Sequence, residues 1–444
     1  MRLHDIYELK KKNIYAGKDV KKLLYAKKNE DGDMCYYDGE EIFKDDGEIF
    51  RAAKYGFSKK NCEKSKYIIM NECLYCKYAT KKNKRVPHKS IKECYDHSKD
   101  VYDYIKKGTG NKIDMTITGD MSTTIMKRLM QKMEHVVDLN KPKKVDTRRE
   151  YAWMKDATVG PLIYAIPRSS SESFSGFVQV WDINSCHCSI LRDENFKFPI
   201  ECGEYRTITK ISEKVKFGIY RAVISFENTH INNFRFRINE DNKYTHIDIE
   251  QARRYGYDIK LIDDGNPNFL YYNKDKLFTG SCLRGYIDEI YGYKEECTDL
   301  DVKAYYKQML SALWGYLTEE RFITSYVKKG ELYDKDIRDD DEVSREYFND
   351  EKDKITIFNY SDPYKTRFAR VKPFLMAHVR KSLSDIYEHV IDRVVRVHTD
   401  GFYIKASKED APLFKETRDI GGVKLEYVGH VEMKNVNKIK KIGL

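Results

Sequence analysis

No run of apolar residues approaches the ~18 that a membrane span needs. The opening Met-Arg-Leu-His-Asp-Ile-Tyr-Glu-Leu-Lys-Lys-Lys also lacks the apolar core of a signal peptide. These two absences argue against a membrane protein and a secreted one, and make a cytoplasmic protein the expectation. The chain holds no internal repeat and no long low-complexity tract, so neither a solenoid nor a disordered polymer is indicated. Ten cysteines without a secretion signal point to a reducing compartment and away from a disulfide framework.

What is present suits a globular protein. Across 444 residues, 41% are hydrophobic and 34% charged, a length that allows two or three domains. The balance of 81 Lys+Arg against 71 Asp+Glu leaves a net charge of +10, which permits a polyanionic partner without demanding one. The 35 tyrosines lie among abundant lysines. That mixture suits base stacking with phosphate contacts, and it equally suits an AT-rich coding sequence.

The cysteines are unevenly placed. Cys73-Leu-Tyr-Cys76 and Cys94-Tyr-Asp-His97 form a C-x2-C and a C-x2-H pair. Each pair can bend onto one cation, and two pairs complete the tetrahedron of a structural Zn²⁺ site. Cys62 and His88 are alternate ligands, and Lys81-Lys82-Asn83-Lys84-Arg85 between the pairs would be an exposed basic loop. The plain alternative is a set of free cysteines in a small basic domain.

The periodicity predicts a helix from Ser122 to about Leu139, followed by a polar, Pro-containing boundary at Asn140-Lys141-Pro142-Lys143-Lys144. From about 151 the pattern is mixed α/β. Phe177-Val178-Gln179-Val180-Trp181 reads as a buried strand, and 216–226 contains another. Helices are expected from Thr298 to about Tyr316 and from Ala377 to about Val390. A hairpin is expected around His398-Thr399-Asp400, and an exposed acidic insertion from about 330 to 365.

Asp182 closes a strongly apolar strand, and Asp400 sits on the tight connection of that hairpin. A carboxylate at a buried strand end is costly unless it is paired or binds a metal. Two of them on one sheet would hold a pair of Mg²⁺ ions suited to in-line phosphoryl transfer. Between them in sequence, Lys303 and Lys307 share one helix face, with Lys294 just before. Three such lysines could neutralise a triphosphate. Taken singly, each residue has a plain reading as a turn cap or a solvated basic face.

Three motifs in order carry a resemblance. The segment from Trp181 to Ile190 resembles the first catalytic motif of B-family DNA polymerases, D-x2-S-L-Y-P, with Asp182 and Ser185 in matching places. Lys307-Gln-Met-Leu-Ser-Ala-Leu-Trp-Gly315 is similar to their finger-helix motif, K-x3-N-S-x-Y-G. Arg396-Val-His-Thr-Asp-Gly-Phe-Tyr-Ile404 is similar to the third, Y-x-D-T-D-S. The protein-primed phage and linear-plasmid branch is nearest, because Lys294 and Lys303 precede the motif lysine and Leu425-Glu-Tyr-Val-Gly-His430 matches its Leu-Gly-Tyr-Trp-Ala-His stretch. The resemblance covers roughly 150–444.

It implies an α/β (α+β) fold with a polymerase palm, an antiparallel sheet and helical fingers; residues 1–150 lie outside it and read, from their own pattern, as a small N-terminal α+β region that holds the zinc candidates. The expected divisions are an N-terminal segment (1–60), a zinc module (61–100), a helical linker region (101–150) and a first palm part (151–262). Fingers (263–330), the insertion (331–366), a second palm part (367–430) and a vestigial thumb or tail (431–444) follow. The resemblance further implies DNA polymerase activity on a primer-template with deoxyribonucleoside triphosphates. Asp182, Asp400 and the Ile183 carbonyl would bind two Mg²⁺ ions, with Mn²⁺ a substitute. Lys294, Lys303 and Lys307 would take the phosphates, Ser185 and His187 would lie at the nucleotide, and Trp314 and Gly315 would line the nascent base pair. Lys441 would contact DNA, a priming protein or replication partner is implied, and a viral, phage or plasmid gene would place the protein in a host cytoplasm.

The departures are specific. His187 stands where the family has the tyrosine that screens the sugar 2′-position, which puts discrimination against ribonucleotides in doubt. His398 replaces the first Asp of the third motif, Ser311-Ala312 replaces Asn-Ser, and Trp314 replaces Tyr. The primer-holding Lys-x-Tyr survives at best as Lys441-Ile-Gly443. No stretch in 1–150 reads as the Asp-x-Glu-led exonuclease, and too few residues follow Asp400 for an ordinary thumb. Two rivals follow: a primase or primase-polymerase, and an inactive polymerase fold kept for nucleic-acid binding or assembly. Cys186-His187-Cys188 is expected to pack, with a soft-metal site as its minor alternative.

Overall fold

The computed structural model describes residues 23–28, 34–37, 41–44, 49–51, 67–71, 91–114, 121–133, 147–166, 173–330, 341–347, 352–360 and 363–442. The chain divides into two compact units, Met1–Val137 with Gly285–Leu313, and Asp138–Arg284 with Trp314–Leu444.

In the first unit, five short antiparallel strands are ordered Ile49–Arg51, Glu41–Lys44, Met34–Tyr37, Leu23–Lys28, Tyr67–Asn71. Helices α1 (Ile91–Gly108) and α2 (Met121–Met133) follow in the chain. Ile125, Leu129 and Met133 recur at one-turn spacing on α2 and are buried. The Leu300–Leu317 helix buries Val302, Tyr305, Tyr306, Met309 and Leu310 in the same way, and Tyr305 meets Tyr102 edge to face at 5.8 Å. On the Ser281–Glu296 helix, Glu289 accepts two bonds from Arg128 of α2, at 2.7 and 2.6 Å. Burial pushes the Glu289 carboxyl up, but Arg128 and Lys132 hold it below the usual range.

The second unit is built on a six-stranded antiparallel sheet. Its strands are β1 (Ile163–Ala165), β2 (Phe174–Ile183), β3 (Val394–His398), β4 (Gly401–Lys405), β5 (Val423–Asn435) and β6 (Lys438–Ile442), in the order β6-β5-β2-β4-β3-β1. Central β2 carries Val178, Val180, Trp181 and Ile183, all buried, as expected of a strand covered on both faces. Val178 and Val180 pack with Ala165, Val395, Tyr403, Val431 and Met433. A second antiparallel sheet is ordered Lys243–Thr245, Gly218–Ser225, Phe269–Tyr271, Glu204–Arg206, with Asp258–Leu261 also pairing to Gly218–Ser225.

Helices α3 (Thr147–Ala157), α4 (Cys186–Leu191), α5 (His246–Arg254) and α6 (Val371–Tyr387) pack around these sheets. Glu150 of α3 is buried and receives both Nε and Nη2 of Arg370, at 2.9 and 2.8 Å. Arg380 of α6 reaches Asp248 of α5 at 2.6 Å.

Three of the expected divisions are placed in the fold as follows. The 263–284 part of the expected fingers lies in the second unit, where Phe269–Tyr271 belongs to a sheet begun before residue 262. The expected exposed insertion contributes Asp341–Tyr347 and Lys352–Asn359 to a three-stranded sheet with Phe322–Lys328, and Ile355, Ile357 and Phe358 are buried. The expected tail from 431 begins inside β5 and continues as β6, so 431–442 is part of the main sheet.

Candidate active site

Asp182 is the penultimate residue of β2, facing Gly401 of β4 on one side and Lys424 of β5 on the other. Asp400 lies in the two-residue turn that joins β3 to β4, closed by the His398–Gly401 pair. The Ile183 N–H donates to the Asp400 carbonyl at 3.0 Å, which ties the turn to the end of β2. The two carboxylates are therefore held at one end of neighbouring strands.

The turn is strained. Thr399 has φ +63°, a left-handed conformation that a β-branched residue rarely adopts. Its N–H donates to the Leu162 carbonyl at 3.1 Å, and that bond from the edge of β1 helps hold it.

The electrostatics match two acidic groups in a partly dry place. Burial, and then the charge of Asp400, push the Asp182 carboxyl above its ordinary range, against the pull of Lys424. The Lys424 Nζ lies 3.0 Å from Asp182 Oδ2 and 2.6 Å from Glu426 Oε1. Burial, with added repulsion from Asp400 and Asp182, pushes the Cys186 thiol up, so it stays protonated at neutral pH.

Beyond Asp182 the chain turns through Asn184 and Ser185. The Asn184 N–H donates to Gly422 O and its carbonyl accepts from Gly421, both at 2.8 Å. Ser185 has φ +54° and ψ +42° and precedes the short helix α4. On α4, Cys186 and Cys188 are buried in packing. His187 lies flat against Trp314, with ring centroids 5.4 Å apart and planes 13° from parallel. Burial lowers its proton affinity, so the imidazole is neutral at pH 7. A Cβ on Gly315, next to Trp314, would meet no atom within 4 Å.

In the first unit the three lysines gather. Lys294 packs its ammonium 4.2 Å from the centre of the Tyr291 ring and pairs with Glu295 at 2.9 Å. Burial lowers its pKa, and the charges of Lys303 and Lys307 lower it further, although Glu295 opposes them. Mutual repulsion of this kind marks a place that favours an anion.

Cys62, Cys73, Cys76 and His88 lie outside the described residues, while Cys94 and His97 fall within α1. Among the described residues no group of three or more His, Cys, Asp and Glu side chains is placed to hold a metal, so the carboxylate pair stands as a pair. Lys441, on β6, lies over the Tyr427 ring at 4.5 Å. Two charged neighbours of the site, Lys424 and Glu426, were not expected from the sequence. The only signal for them was the Leu425-Glu-Tyr-Val-Gly-His430 stretch, which contains Glu426 and begins beside Lys424.

The raised Asp182 carboxyl has a testable consequence. A group whose pKa is higher folded than unfolded favours the fold when protonated, and that advantage is lost as pH rises through the folded value. Asp400, Lys424, Glu426 and Cys186 are the charged or titratable groups that face it. The stability of Asp182→Asn relative to the parent, measured by urea unfolding with EDTA, should therefore improve steadily from acid to neutral pH. A pH-independent difference would contradict this account.

The fold these elements make is polymerase-like: a mixed α/β chain on an antiparallel sheet that carries two carboxylates at one end. Among solved structures, Phi29 DNA polymerase complexed with single-stranded DNA matches at TM-score 0.52 and 14% identity, over 82% of this chain and 63% of that one. Its complex with primer-template DNA matches at 0.52 and 13%, over 89% and 70%. The ternary complex with incoming nucleotide substrates matches at 0.52 and 13%, over 89% and 71%. At these identities the likeness is one of fold. No protein-family model matches the chain, and no curated protein matches it in sequence. No helix among the described residues is long and apolar enough to cross a membrane.

Proposed function

We propose that the chain is a template-directed nucleotidyltransferase, a DNA polymerase of B-family type that adds nucleotides to a 3′-hydroxyl without proofreading. The observation that carries this reading is the juxtaposition of Asp182 and Asp400 at adjacent strand ends of a polymerase-like sheet. The donor set fits a hard divalent cation: carboxylate oxygens, in a place already costly enough to raise the Asp182 pKa and seat an ammonium beside it. Asp182 and Asp400 would hold Mg²⁺, with the Ile183 carbonyl as a further oxygen and Mn²⁺ as a substitute. When bound, the two cations supply charge stabilisation for the attacking and leaving oxygens of an in-line displacement.

The rest falls to the chain's own groups. Lys294, Lys303 and Lys307 are assigned to the triphosphate, whose charge would relieve their mutual repulsion. Ser185 is assigned to the nucleotide, and Trp314 and Gly315 to the nascent base pair. Lys441 is assigned to the DNA backbone. The partners of this reading are a primer-template, deoxyribonucleoside triphosphates and a priming or replication protein. The cysteine pairs, with Cys94 and His97 on α1, are assigned a structural Zn²⁺.

The test is extension of a labelled primer on a single-stranded template with Mg²⁺ and all four deoxyribonucleoside triphosphates. Sequence-directed extension supports the reading. Binding of DNA without Mg²⁺-dependent nucleotide binding or extension would make the chain an inactive polymerase fold.

One observation favours a second reading, a primase or primase-polymerase. His187 presents a small, neutral ring lying flat on Trp314. If His187 faces the sugar, His187→Tyr should raise preference for deoxyribonucleotides over ribonucleotides by about tenfold or more. Unprimed synthesis from ribonucleotides would promote the primase reading. An unchanged sugar preference in the variant would remove His187 from that role.

A further inference from the structure

Lys424 sits where the carboxylate pair concentrates negative charge. It lies directly across from Asp182 in the β5–β2 register. Its ammonium bridges two acceptors, Asp182 Oδ2 at 3.0 Å and Glu426 Oε1 at 2.6 Å. Glu426 lies two residues along the same strand, and it is the extra residue where the ladder slips between Leu425 and Tyr427, a β-bulge. Bulges re-aim side chains next to functional sites. The two acceptors differ in setting: the Asp182 side chain is 28% exposed and that of Glu426 is 47% exposed.

An ammonium and a divalent cation compete for the same oxygen, and Coulomb repulsion keeps both from sitting on it at full strength. The geometry points to Lys424 as a resident counter-ion of the Asp182–Asp400 pair, displaced from Asp182 and retained by Glu426 when a divalent cation binds. This rests on the proposed function only in taking that pair as the cation site. It adds a residue that sets how tightly the cation is held. In the cation-free protein Lys424 keeps two neighbouring carboxylates tolerable. On loading it moves its weight to the wetter carboxylate, two residues along the same strand.

The experiment is Mn²⁺ binding to the full chain by calorimetry, without nucleotide, together with melting temperatures in EDTA and in Mn²⁺. Asp400→Asn defines which binding belongs to the carboxylate pair. Lys424→Met should tighten that binding by about tenfold, the scale of a nearby charge pair discounted for partial solvent exposure. It should also melt lower than the parent in EDTA and regain more on adding Mn²⁺. Lys424→Arg keeps the charge and should bind as the parent does, which separates charge from packing. Glu426→Gln removes the acceptor that retains the displaced ammonium and should weaken binding severalfold.

If the parent binds Mn²⁺ in an Asp400-dependent way but Lys424→Met binds no tighter, the counter-ion role is wrong and the cation site stands. Should Lys424→Met fail to fold, the Glu426→Gln result decides alone, and unchanged binding there overturns the displacement. If neither the parent nor any variant shows Asp400-dependent binding, the cation site itself falls, and this role with it.

Discussion

On the proposed function, asparagine in place of Asp400 is expected to slow nucleotide addition by about a thousandfold or more, the scale for losing a principal electrostatic group in phosphoryl transfer, with no loss of thermal stability. The turn has backbone supports of its own. It is held by backbone bonds, with the Ile183 N–H donating to the Asp400 carbonyl, the Thr399 N–H donating to Leu162, and His398 paired with Gly401. Asparagine has nearly the same shape and suits turns at least as well. Its neutral side chain would also relieve Asp182, whose carboxyl is pushed up by burial and then by Asp400. The melting temperature in EDTA should therefore hold or rise while catalysis collapses, the pattern of a strained functional group. Single-turnover primer extension and thermal melting on the same preparation check both halves. A variant that extends at the parental rate would remove Asp400 from the cation site. One that fails to fold would mean that the carboxylate supports the turn.

The parts of this site that were legible in the sequence are those that local pattern writes. An apolar strand ending in Asp182, and two β-rich runs around His398-Thr399-Asp400, needed only alternation and turn chemistry to be read. Helix ends were less exact for identifiable reasons. The Leu300–Leu317 helix starts two residues later than expected because Asp299 caps it, its carboxylate accepting from the Val302 N–H at 3.0 Å. The α6 helix starts at Val371, six residues earlier than the expected Ala377, because Pro373 is tolerated in a first turn. It ends at Tyr387, and a 3₁₀ segment carries Glu388–Arg393. The helix expected to reach Leu139 is described for Met121–Met133.

What was not legible depends on register between distant segments. Nothing near Lys424 says that β5 lies beside β2, and a one-residue slip would send its side chain to the other face. The bulge at Glu426 performs such a change of parity within one strand. The stacking of His187 on Trp314 was equally hidden, because it joins a six-residue helix to the end of a helix far along the chain.

The largest loss of stability is expected at a second pair, Arg380 and Asp248. Arg380→Met should lower unfolding stability by about 3–5 kcal/mol, because it strands a buried carboxylate. The Arg380 and Asp248 side chains are each 6% exposed, and the guanidinium meets Asp248 Oδ1 at 2.6 Å. It also donates to the carbonyls of Val159 and Gly160, at 2.6 and 3.1 Å. Asp248 cannot turn away to water, since its other oxygen accepts from the Thr245 N–H and hydroxyl in the capping box that starts α5. Methionine fills much of the volume but leaves a charge and two carbonyls without their donor. Asp248→Asn should cost a similar amount for the converse reason, an uncompensated guanidinium. The double variant should recover part of the loss, because both charges are then gone. Against a typical total of about 5–15 kcal/mol, either single change brings the fold close to its limit. Because α6 also packs on α4, which carries His187, activity should fall with the fold as temperature rises. That is the opposite of Asp400→Asn, where activity goes and the fold stays. Urea unfolding of the four proteins at neutral pH decides it. Additive single effects would show that the two charges are not coupled.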